Sequence, residues 1–407
     1  MRKGARWYSM EMAGMVTHIG ANIIRDARIL VEQLGKPLEL DTDGIWCLLP
    51  EQFPENYFLQ TTSGKKLFMS YGCSMLNLLV YDKYKNTQYQ EITPEGDYEK
   101  RTEMSIFFEI DGPYKAMVLP ASTEEGKMLK KRYAVFHLNG KLAELKGFEI
   151  KRRGELKIIK VFQGEVFSQF VKGDSLEDVY AAVGQVADRW YDILAYEGAG
   201  LSVDEIIDYL GEKRVMSKAL SEYGAQRSTS ITTARRLGEL LGQDIVQDKG
   251  LNCHMLISKK PVGDPVSERA IPAVIFSVEK EVRKKFLRLW LKESAVDDIT
   301  VQEVIDWDYY KERLGNSILK IITIPAALQR IQNPNPRIAQ PEWLKRRIRS
   351  LEEKFRQKKI DSMFKRVTPQ KAAMRDLEDI APIPLALPEM PEIPIPIESD
   401  FKGWLAQ

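Results

Sequence analysis

Two aspartates, Asp41 and Asp43, are the residues whose type and spacing most favour chemistry in this chain of 407 residues. They stand two positions apart in a short polar unit that ends in Asp43-Gly44 and lies between two apolar runs. In an extended backbone both side chains lie on one face, with Cα atoms about 6–7 Å apart, and carboxylates that close repel each other unless a cation lies nearby. Mg²⁺ prefers hard oxygen ligands from one or two carboxylates and from substrate phosphates. The pair therefore predicts a magnesium site, and a solvated turn is the common alternative.

The surrounding residues predict the elements that position this pair. Residues 38–49 predict a β-hairpin with the carboxylates at its tip, because an Asp-Gly turn joins two apolar runs. A helix is predicted over about residues 6–34, where apolar residues recur at steps of three and four, and Gly35 and Pro37 end it. Further strands are predicted at 66–71, 104–110, 114–119 and 134–138. The first 140 residues therefore predict a mixed unit of helices and antiparallel strands.

Residues after about 156 favour helices, and the last part of the chain favours neither helix nor strand. Ser175 is placed to cap the second of these helices, and Ser202 with Glu205 forms a capping box for the third. From 381 to 397, six prolines stand among apolar and acidic residues, which predicts a disordered or extended segment. The fold class expected is α+β. The helices are predicted at 158–170, 175–194, 202–210, 232–241, 277–292, 301–305, 308–321 and 341–358.

Basic residues are concentrated in the middle of the chain, although the formal net charge is only +2. Between Lys127 and Lys160 there are eleven Lys or Arg residues and three Glu, whereas residues 375–400 contain one Arg and seven acidic residues. A basic middle predicts an anionic polymer as the ligand. The basic stretch contains Lys130, Lys131 and Arg132, followed by Tyr133, and the cluster Lys151, Arg152 and Arg153, and a later helix start carries Arg227, Ser228, Thr229, Arg235 and Arg236.

The segment LELDTDGIW at 38–46 is similar to the Asp-Thr-Asp motif of B-family DNA polymerases. The usual form in that family is Tyr-Gly-Asp-Thr-Asp-Ser, from which Glu39, Leu40 and Gly44 depart. A replicative, leading-strand branch of the family carries this variant. Other strings resemble the same branch: MRKGARWYSMEMAG at 1–14, KKRYA at 130–134, ELKGFEIKRRGEL at 144–156, STSITTARRLG at 228–238 and IITIPAALQ at 321–329. The similarity runs from Met1 to about Phe364. Because of these matching segments, the chain is identified as a member of that family.

The resemblance implies template-directed DNA synthesis, in which a primer 3′-hydroxyl attacks an incoming dNTP with the help of two Mg²⁺ ions. It implies that Asp43 binds both ions and that Asp41 assists. Family members also need an Asp from an upstream strand, a Lys on the fingers helix, an exonuclease domain and, in this branch, a cysteine cluster that resembles an iron–sulfur site. We expect these parts, including the rest of the metal site, outside this chain, and we expect the chain alone to be inactive.

The resemblance also implies where DNA lies. Residues 130–133 match a family element beside the primer terminus that contacts minor-groove acceptors, which differ little among correct base pairs. The cluster at 151–153 is expected to lead into the thumb and to contact phosphates, which makes binding salt-dependent. The helix start at 227–229 suits a phosphate, and a plain helix cap is an equally supported alternative.

The expected domains are the end of the fingers with a palm helix at 1–35, the palm with the aspartate hairpin at 36–117, the thumb at 118–352, and a tail at 353–407. The tail contains the spacing of a sliding-clamp-binding box, with a methionine in place of the usual aromatic residue. Three of its residues make one apolar face of a helical turn, which suits a groove. The frayed end of a basic helix is the alternative interpretation. The residues of the box are Gln357, Ile360, Met363 and Phe364.

The implied partners are primer-template DNA, dNTP and, through the box, a sliding clamp. Accessory polymerase subunits are expected to bind outside this chain, and the expected location is the nucleus. The chain contains no run of about 18 uncharged apolar residues, so the sequence predicts no membrane span. Three widely spaced cysteines and three histidines predict neither a zinc or iron–sulfur site nor a disulfide framework. The alternative function is a non-catalytic DNA-clamping or scaffolding module, although a start directly after the fingers favours an incomplete gene model.

Overall fold

The computed structural model describes residues 4, 6, 8–50, 56–104, 106–247, 249–294 and 299–364, and gives the backbone alone for 56, 57, 71 and 354–364. The chain forms two units, Met1–Ile348 and Arg349–Gln407, and the described part of the second unit is the end of one helix. The segment 381–397, predicted to be disordered or extended, lies outside the described residues. Within the described residues, no helix is both long and apolar enough to cross a membrane.

Helices and short antiparallel strands alternate in the first part of the chain, and helices dominate the second, which confirms the predicted α+β class. The helices are α1 (Met10–Leu34), α2 (Tyr71–Tyr84), α3 (Lys157–Phe170), α4 (Leu176–Ala195), α5 (Val203–Leu210), α6 (Thr229–Leu241), α7 (Lys280–Leu291), α8 (Val301–Val304), α9 (Trp307–Ile318), α10 (Ile324–Leu328) and α11 (Glu342–Phe364). The strands are β1 (Lys36–Asp41), β2 (Gly44–Leu48), β3 (Asn56–Gln60), β4 (Lys66–Ser70), β5 (Asn86–Ile92), β6 (Tyr98–Glu103), β7 (Tyr114–Val118), β8 (Tyr133–His137), β9 (Leu142–Lys146), β10 (Glu212–Val215), β11 (Asn252–Ile257) and β12 (Ala270–Pro272).

The hairpin that carries the two aspartates is present, as predicted. Strands β1 and β2 pair antiparallel with Asp41 opposite Gly44, so the carboxylates lie at its tip. Helices α1 and α2 bury a small core beneath it, made of Ala27, Val31 and Leu76. This hairpin region (residues 8–110) thus has, among its described residues, two helices, three two-stranded ribbons and one small apolar core.

Among the helix boundaries that differ from the prediction are the start of α1 and the end of α9. Helix α1 begins at Met10 and not at residue 6, because the Ser9 hydroxyl accepts a hydrogen bond from the Met12 N–H (3.1 Å) and caps the helix there. Helix α9 ends at Ile318, and a π-helical turn at Leu319–Thr323 continues it toward α10.

Residues 104–110 were expected to form a strand and do not form one where the structure describes them. Asn77 of α2 donates its side-chain amide to the Phe108 carbonyl (3.0 Å) and accepts from the Phe108 N–H (2.6 Å). The Asn77 side chain thus forms hydrogen bonds with the N–H and the carbonyl of Phe108, the two backbone groups that would otherwise pair with a neighbouring strand. The prediction also missed helices α2 and α10 and strands β3, β5, β6, β9, β10, β11 and β12. Strands β5 and β6 are exposed on both faces, so their sequence lacks the apolar alternation that marks a strand.

The largest core lies in the helical region (residues 133–344). The sheet with strand order β7-β8-β9 adjoins α3, and the residues Tyr133 to Phe136 of β8 are buried. Ser175 caps α4, and Ser202 with Glu205 forms the predicted capping box of α5. Most predicted helices of this region are confirmed within a few residues of their expected ends.

Candidate active site and nucleic-acid interface

The Asp41 carboxylate is buried at the end of β1, only 8% exposed, and is surrounded by donors. Lys146 Nζ lies 2.7 Å from its Oδ2, and the Tyr133 hydroxyl donates to the same oxygen at 2.8 Å. Lys131 Nζ lies 3.1 Å from Oδ1, to which the Thr42 hydroxyl also donates at 3.3 Å. Both carboxylate oxygens are therefore occupied by hydrogen-bond donors, and two of those donors carry a positive charge.

These donors come from the sheet that opens the helical region. Tyr133 begins β8 and Lys146 ends β9, and the strand register places the two opposite each other. Tyr133 packs against Trp46 of β2, with ring centroids 5.5 Å apart, and Lys146 Nζ also lies 3.1 Å from a Glu144 oxygen. The prediction of site residues missed Lys146, although it lies in the ELKGF string that carries part of the family resemblance.

The backbone of the strand end formed by residues 130–133 is tied to the hairpin as well. The Lys131 N–H donates to the buried Glu39 carboxylate at 2.7 Å, and Lys131 Nζ donates to the Thr42 hydroxyl at 2.6 Å. Gly147 permits this close approach: its φ is +73°, and a Cβ there would lie 2.5 Å from the Lys131 carbonyl. Any larger residue at 147 would push the strand end away from the hairpin.

Charge stabilisation in this cluster is strong. The Lys146 ammonium, followed by hydrogen bonds from Tyr133 and Lys131, holds the pKa of the Asp41 carboxyl well below its usual range, against the opposing effect of burial. In return, hydrogen bonds to Asp41 and then to Glu144 raise the pKa of Lys146. A carboxylate beside opposite charges favours its ionised form, so Asp41 is an anion throughout the neutral pH range.

Asp43 lies in a different environment from Asp41. Its side chain is exposed, and its N–H donates to the Asp41 carbonyl across the turn at 2.6 Å. Thr42 between them has a φ of 54°, so the turn is not extended and the premise that both carboxylates lie on one extended face is wrong.

The two carboxylates also differ in how well they suit a divalent cation. Asp41 does not fit as a ligand in this conformation, because cationic and hydroxyl donors take both of its oxygens. Exposed Asp43 can offer a carboxylate. Among the described residues, no group of three or more His, Cys, Asp or Glu side chains is arranged to hold a metal ion.

The four predicted DNA contacts at 130–133 differ in accessibility. Lys130 and Lys131 are exposed, and Arg132 is half-buried. Tyr133 is 1% exposed and its hydroxyl donates to Asp41, so it has a structural role here, and its contact with DNA stays a prediction. Exposure therefore singles out the two lysines.

A second basic surface forms where residues 151–153 meet β10. The side chains of Lys151, Arg152 and Arg153 are exposed, and Gly154 (φ +75°) lies directly against the Lys213 carbonyl. This contact brings exposed Lys213 and Arg214 beside the turn, two basic residues that the sequence prediction missed. They could have been found only by knowing that β10 passes this turn. We call this group, residues 151–153 with Lys213 and Arg214, the basic turn surface.

The five residues predicted to contact DNA at or just before α6 differ in exposure and in hydrogen bonding. Ser228 is the cap of the helix, accepting from the Ile231 N–H at 3.3 Å, as the plain-cap alternative requires, and Thr229 is half-buried. Arg227 and Arg235 are exposed. Arg236 instead donates to the backbone carbonyls of three residues at 2.7–3.2 Å, and burial lowers its pKa to about 10. These donors stabilise the interior, and the expectation that Arg236 binds DNA stays a prediction. The three carbonyls belong to Ala270, Glu268 and Trp290.

The candidate clamp-binding box lies on the last turns of α11. The backbone is helical as far as Phe364, six residues beyond the predicted end at 358. The side chains of Gln357, Ile360, Met363 and Phe364 lie outside the described residues, so the box stays a prediction.

Comparison with known proteins identifies relatives along almost the whole chain. Residues 152–329 match the family of thumb domains from the catalytic subunit of DNA polymerase epsilon. The chain is 56% identical over 390 residues to the DNA polymerase epsilon catalytic subunit of Schizosaccharomyces pombe, covering 94% of this chain and 18% of the relative. It is 59% identical over 366 residues to that of Aspergillus fumigatus, covering 89% and 16%, and 54% identical over 384 residues to that of Saccharomyces cerevisiae, covering 93% and 17%.

The chain spans less than a fifth of the length of these relatives. A solved structure of the family B DNA polymerase from the archaeon Pyrobaculum calidifontis also aligns, at 23% identity and a TM-score of 0.41, over 78% of this chain and 30% of that one. The sequence matches, which continue through the aspartate hairpin and the helical region, show that the chain belongs to the B family of DNA polymerases.

Proposed function

We propose that this chain supplies part of the site for template-directed DNA synthesis in a leading-strand replicative polymerase. In that reaction a primer 3′-hydroxyl attacks an incoming dNTP and releases pyrophosphate. The observation that carries the proposal is the junction between the aspartate turn and the strand end at 130–133. It holds an exposed carboxylate, Asp43, and an exposed ammonium, Lys131, on neighbouring parts of one hydrogen-bonded structure. In domain terms, we assign residues 36–117 to a palm and 118–352 to a thumb.

Within this site, Asp43 would hold divalent metal together with carboxylates from outside the chain. Bound Mg²⁺ supplies activation of the attacking oxygen and stabilisation of the leaving group. Lys130 and Lys131 would donate to minor-groove acceptors near the primer terminus, where the pattern is nearly the same for every correct base pair. Asp41 keeps the strand that carries them in position, because its carboxylate binds both Lys131 and Tyr133.

Duplex behind the primer terminus would be held through phosphates. The basic turn surface offers five exposed cationic side chains, and exposed Arg227 and Arg235 at α6 add two more. Phosphate contacts give affinity without sequence preference, which suits an enzyme that copies any template. We further propose that residues 357–364 bind a sliding clamp, that accessory subunits bind outside this chain, and that the protein acts in the nucleus.

A DNA-clamping module without catalysis is the second candidate. One observation favours it: the described residues contain no complete metal-binding group, and both oxygens of Asp41 are occupied. The basic surfaces would serve this function equally well. The two candidates differ only in whether Asp43 takes part in nucleotide addition.

Primer extension decides between them. This chain would replace the matching segment of the Schizosaccharomyces pombe protein, and single-turnover dNTP incorporation would be measured for that chimera. We expect Asp43→Asn to slow incorporation by about 1,000-fold or more, since charge stabilisation worth several kcal/mol is lost. Asp97→Asn, which changes an exposed aspartate in another turn, should leave the rate unchanged. Equal rates for both variants, or no extension by the unmodified chimera, would contradict catalysis.

A further inference from the structure

We propose that Lys146 is the fixed counterion of Asp41 and that Lys131 is an exchangeable one, which leaves the hairpin for DNA when a primer-template binds. The assignment of DNA as the acceptor rests on the function proposed above. The pairing itself rests on the geometry of the cluster around Asp41. Lys146 thereby becomes a positioning residue that controls the availability of Lys131.

Lys146 is held by more groups than Lys131. Its ammonium bridges two carboxylates, Asp41 at 2.7 Å and Glu144 at 3.1 Å, and lies 5.8 Å from the centroid of the Tyr133 ring. Moving it would break both ion pairs and leave Glu144 without this partner. We therefore expect Lys146 to stay in place whether or not DNA is bound.

In Lys131 the side chain can move while the backbone stays in place. Its N–H is fixed by the buried Glu39, whereas its side chain is 58% exposed and its ammonium contacts one carboxylate and the Thr42 hydroxyl. The side chain can therefore leave Asp41 while the backbone stays attached to the hairpin. The groups facing this ammonium are the Asp41 carboxylate and the Thr42 hydroxyl, and the minor groove of DNA would offer it neutral hydrogen-bond acceptors in their place.

Electrostatics links the two lysines through Asp41. With Lys146 in place, departure of Lys131 leaves a carboxylate that is still paired and accepts from Tyr133. Without Lys146, the same departure would leave a buried carboxylate with no cation beside it, which is costly. Loss of Lys146 would therefore retain Lys131 on the hairpin and weaken DNA binding, even where Lys146 touches no DNA.

The test uses the 407-residue chain and a fluorescein-labelled primer-template, with affinity measured by anisotropy at fixed salt. We expect Lys146→Met to weaken binding about tenfold. Asp41→Asn should restore it in the double variant, because the neutral amide no longer retains Lys131. Lys141→Met is the control: it removes an exposed lysine from the other end of the β8–β9 pair, about 13 Å or more along the strand. It should leave the affinity unchanged.

Three results would overturn the proposal: wild-type affinity in Lys146→Met, an equal loss in Lys141→Met, or a loss that Asp41→Asn fails to restore. The last would show that Lys146 contacts DNA directly. If Lys146→Met alone does not fold, folding of the double variant supports the same pairing, and its failure to fold contradicts it.

A second measurement separates this proposal from the proposed function. Urea unfolding of single and double variants gives the coupling between Asp41 and each lysine without DNA. We expect the Asp41–Lys146 coupling to exceed the Asp41–Lys131 coupling, and the reverse order overturns the assignment of the fixed counterion. If the wild-type chain binds no DNA, the proposed function fails while this comparison still decides which lysine is fixed.

Discussion

The hairpin region and the helical region differ in how completely they bury their apolar side chains. In the helical region, Phe162 and Tyr310 belong to one continuous core and are almost fully buried. In the hairpin region the buried cluster is small, and large apolar side chains such as Phe58 (72% exposed) and Val16 face outward. The part that carries the aspartates therefore depends on specific polar ties, above all those of Asp41 and Glu39, whereas the helical part is stabilised by apolar packing.

The largest expected effect is a loss of stability, and replacing one phenylalanine in each region tests the difference between them. Phe162→Ala, in the core of the helical region, should reduce the free energy of unfolding by about 3–5 kcal/mol, because a buried aromatic ring leaves a cavity. Phe58→Ala, on an exposed ribbon, should change it by less than about 0.5 kcal/mol. Urea unfolding followed by circular dichroism measures both. Similar losses for the two would show that apolar packing stabilises the ribbon of Phe58 as strongly as the core of the helical region.

Neighbouring arginines on α6 give the next largest effect. Arg236→Met should cost about 2–3 kcal/mol, since hydrogen bonds from a charged group to three backbone carbonyls are lost. Arg235→Met should leave stability unchanged and reduce the slope of log affinity against log salt for duplex DNA by about 0.9. Unfolding and DNA titration on the same samples check the pair. The opposite assignment, with Arg235 affecting stability and Arg236 affecting binding, would refute it.

Substitution of two glycines with left-handed φ values tests the contact between the hairpin region and the strand end at 130–133. Gly147→Ala should cost about 2–3 kcal/mol and increase hydrogen exchange in β1 and β2, because its Cβ would collide with the Lys131 carbonyl as well as strain the backbone. Gly96→Ala carries the same strain, with φ +90° and open space around its Cβ, so it should cost about 1–2 kcal/mol and leave exchange in β1 and β2 unchanged. Equal effects would mean that the contact with Lys131 is unimportant.

The smallest expected effect concerns His254 of β11. Burial, with the nearby Lys213 charge, lowers its pKa, and its buried Nε2 has no hydrogen-bond partner among the described residues. The unfolded chain then binds more protons than the folded one below about pH 6.5, so stability is lost as pH falls, by at most about 1.4 kcal/mol per pH unit. Melting temperatures at pH 7.5 and 5.5 should differ less in His254→Gln than in the wild type. An identical difference would exclude His254 as the cause.

Local signals were enough to predict the aspartate hairpin and the starts of α4 and α5. An Asp-Gly turn between apolar runs and a Ser with Glu three residues later act within a few positions. The separate environments of Asp41 and Asp43 could not be predicted this way, because they depend on the left-handed Thr42 and on lysines about a hundred positions away. Lys213 and Arg214 were missed for the same reason, since only the fold brings them beside residues 151–153.

Glu39 also gives a physical reason for a departure from the usual family motif. Where the common form has Tyr, this chain has a carboxylate that accepts the Lys131 N–H. The family comparison alone marked this position as unusual, and the structure shows what the carboxylate contacts: it accepts the backbone N–H of the residue whose side chain pairs with Asp41.

The fixed backbone and exposed side chain of Lys131 have a consequence for the rate at which its ammonium can change partners. Exchange of its ammonium between hairpin and DNA needs rotation about side-chain bonds alone, and exposed side chains change rotamer in picoseconds to nanoseconds. Enzyme turnover is typically about 1–10³ per second, so this movement can be completed at every nucleotide step without limiting the rate. A contact that relied on a domain movement or on local unfolding, in microseconds or longer, would leave a far smaller margin.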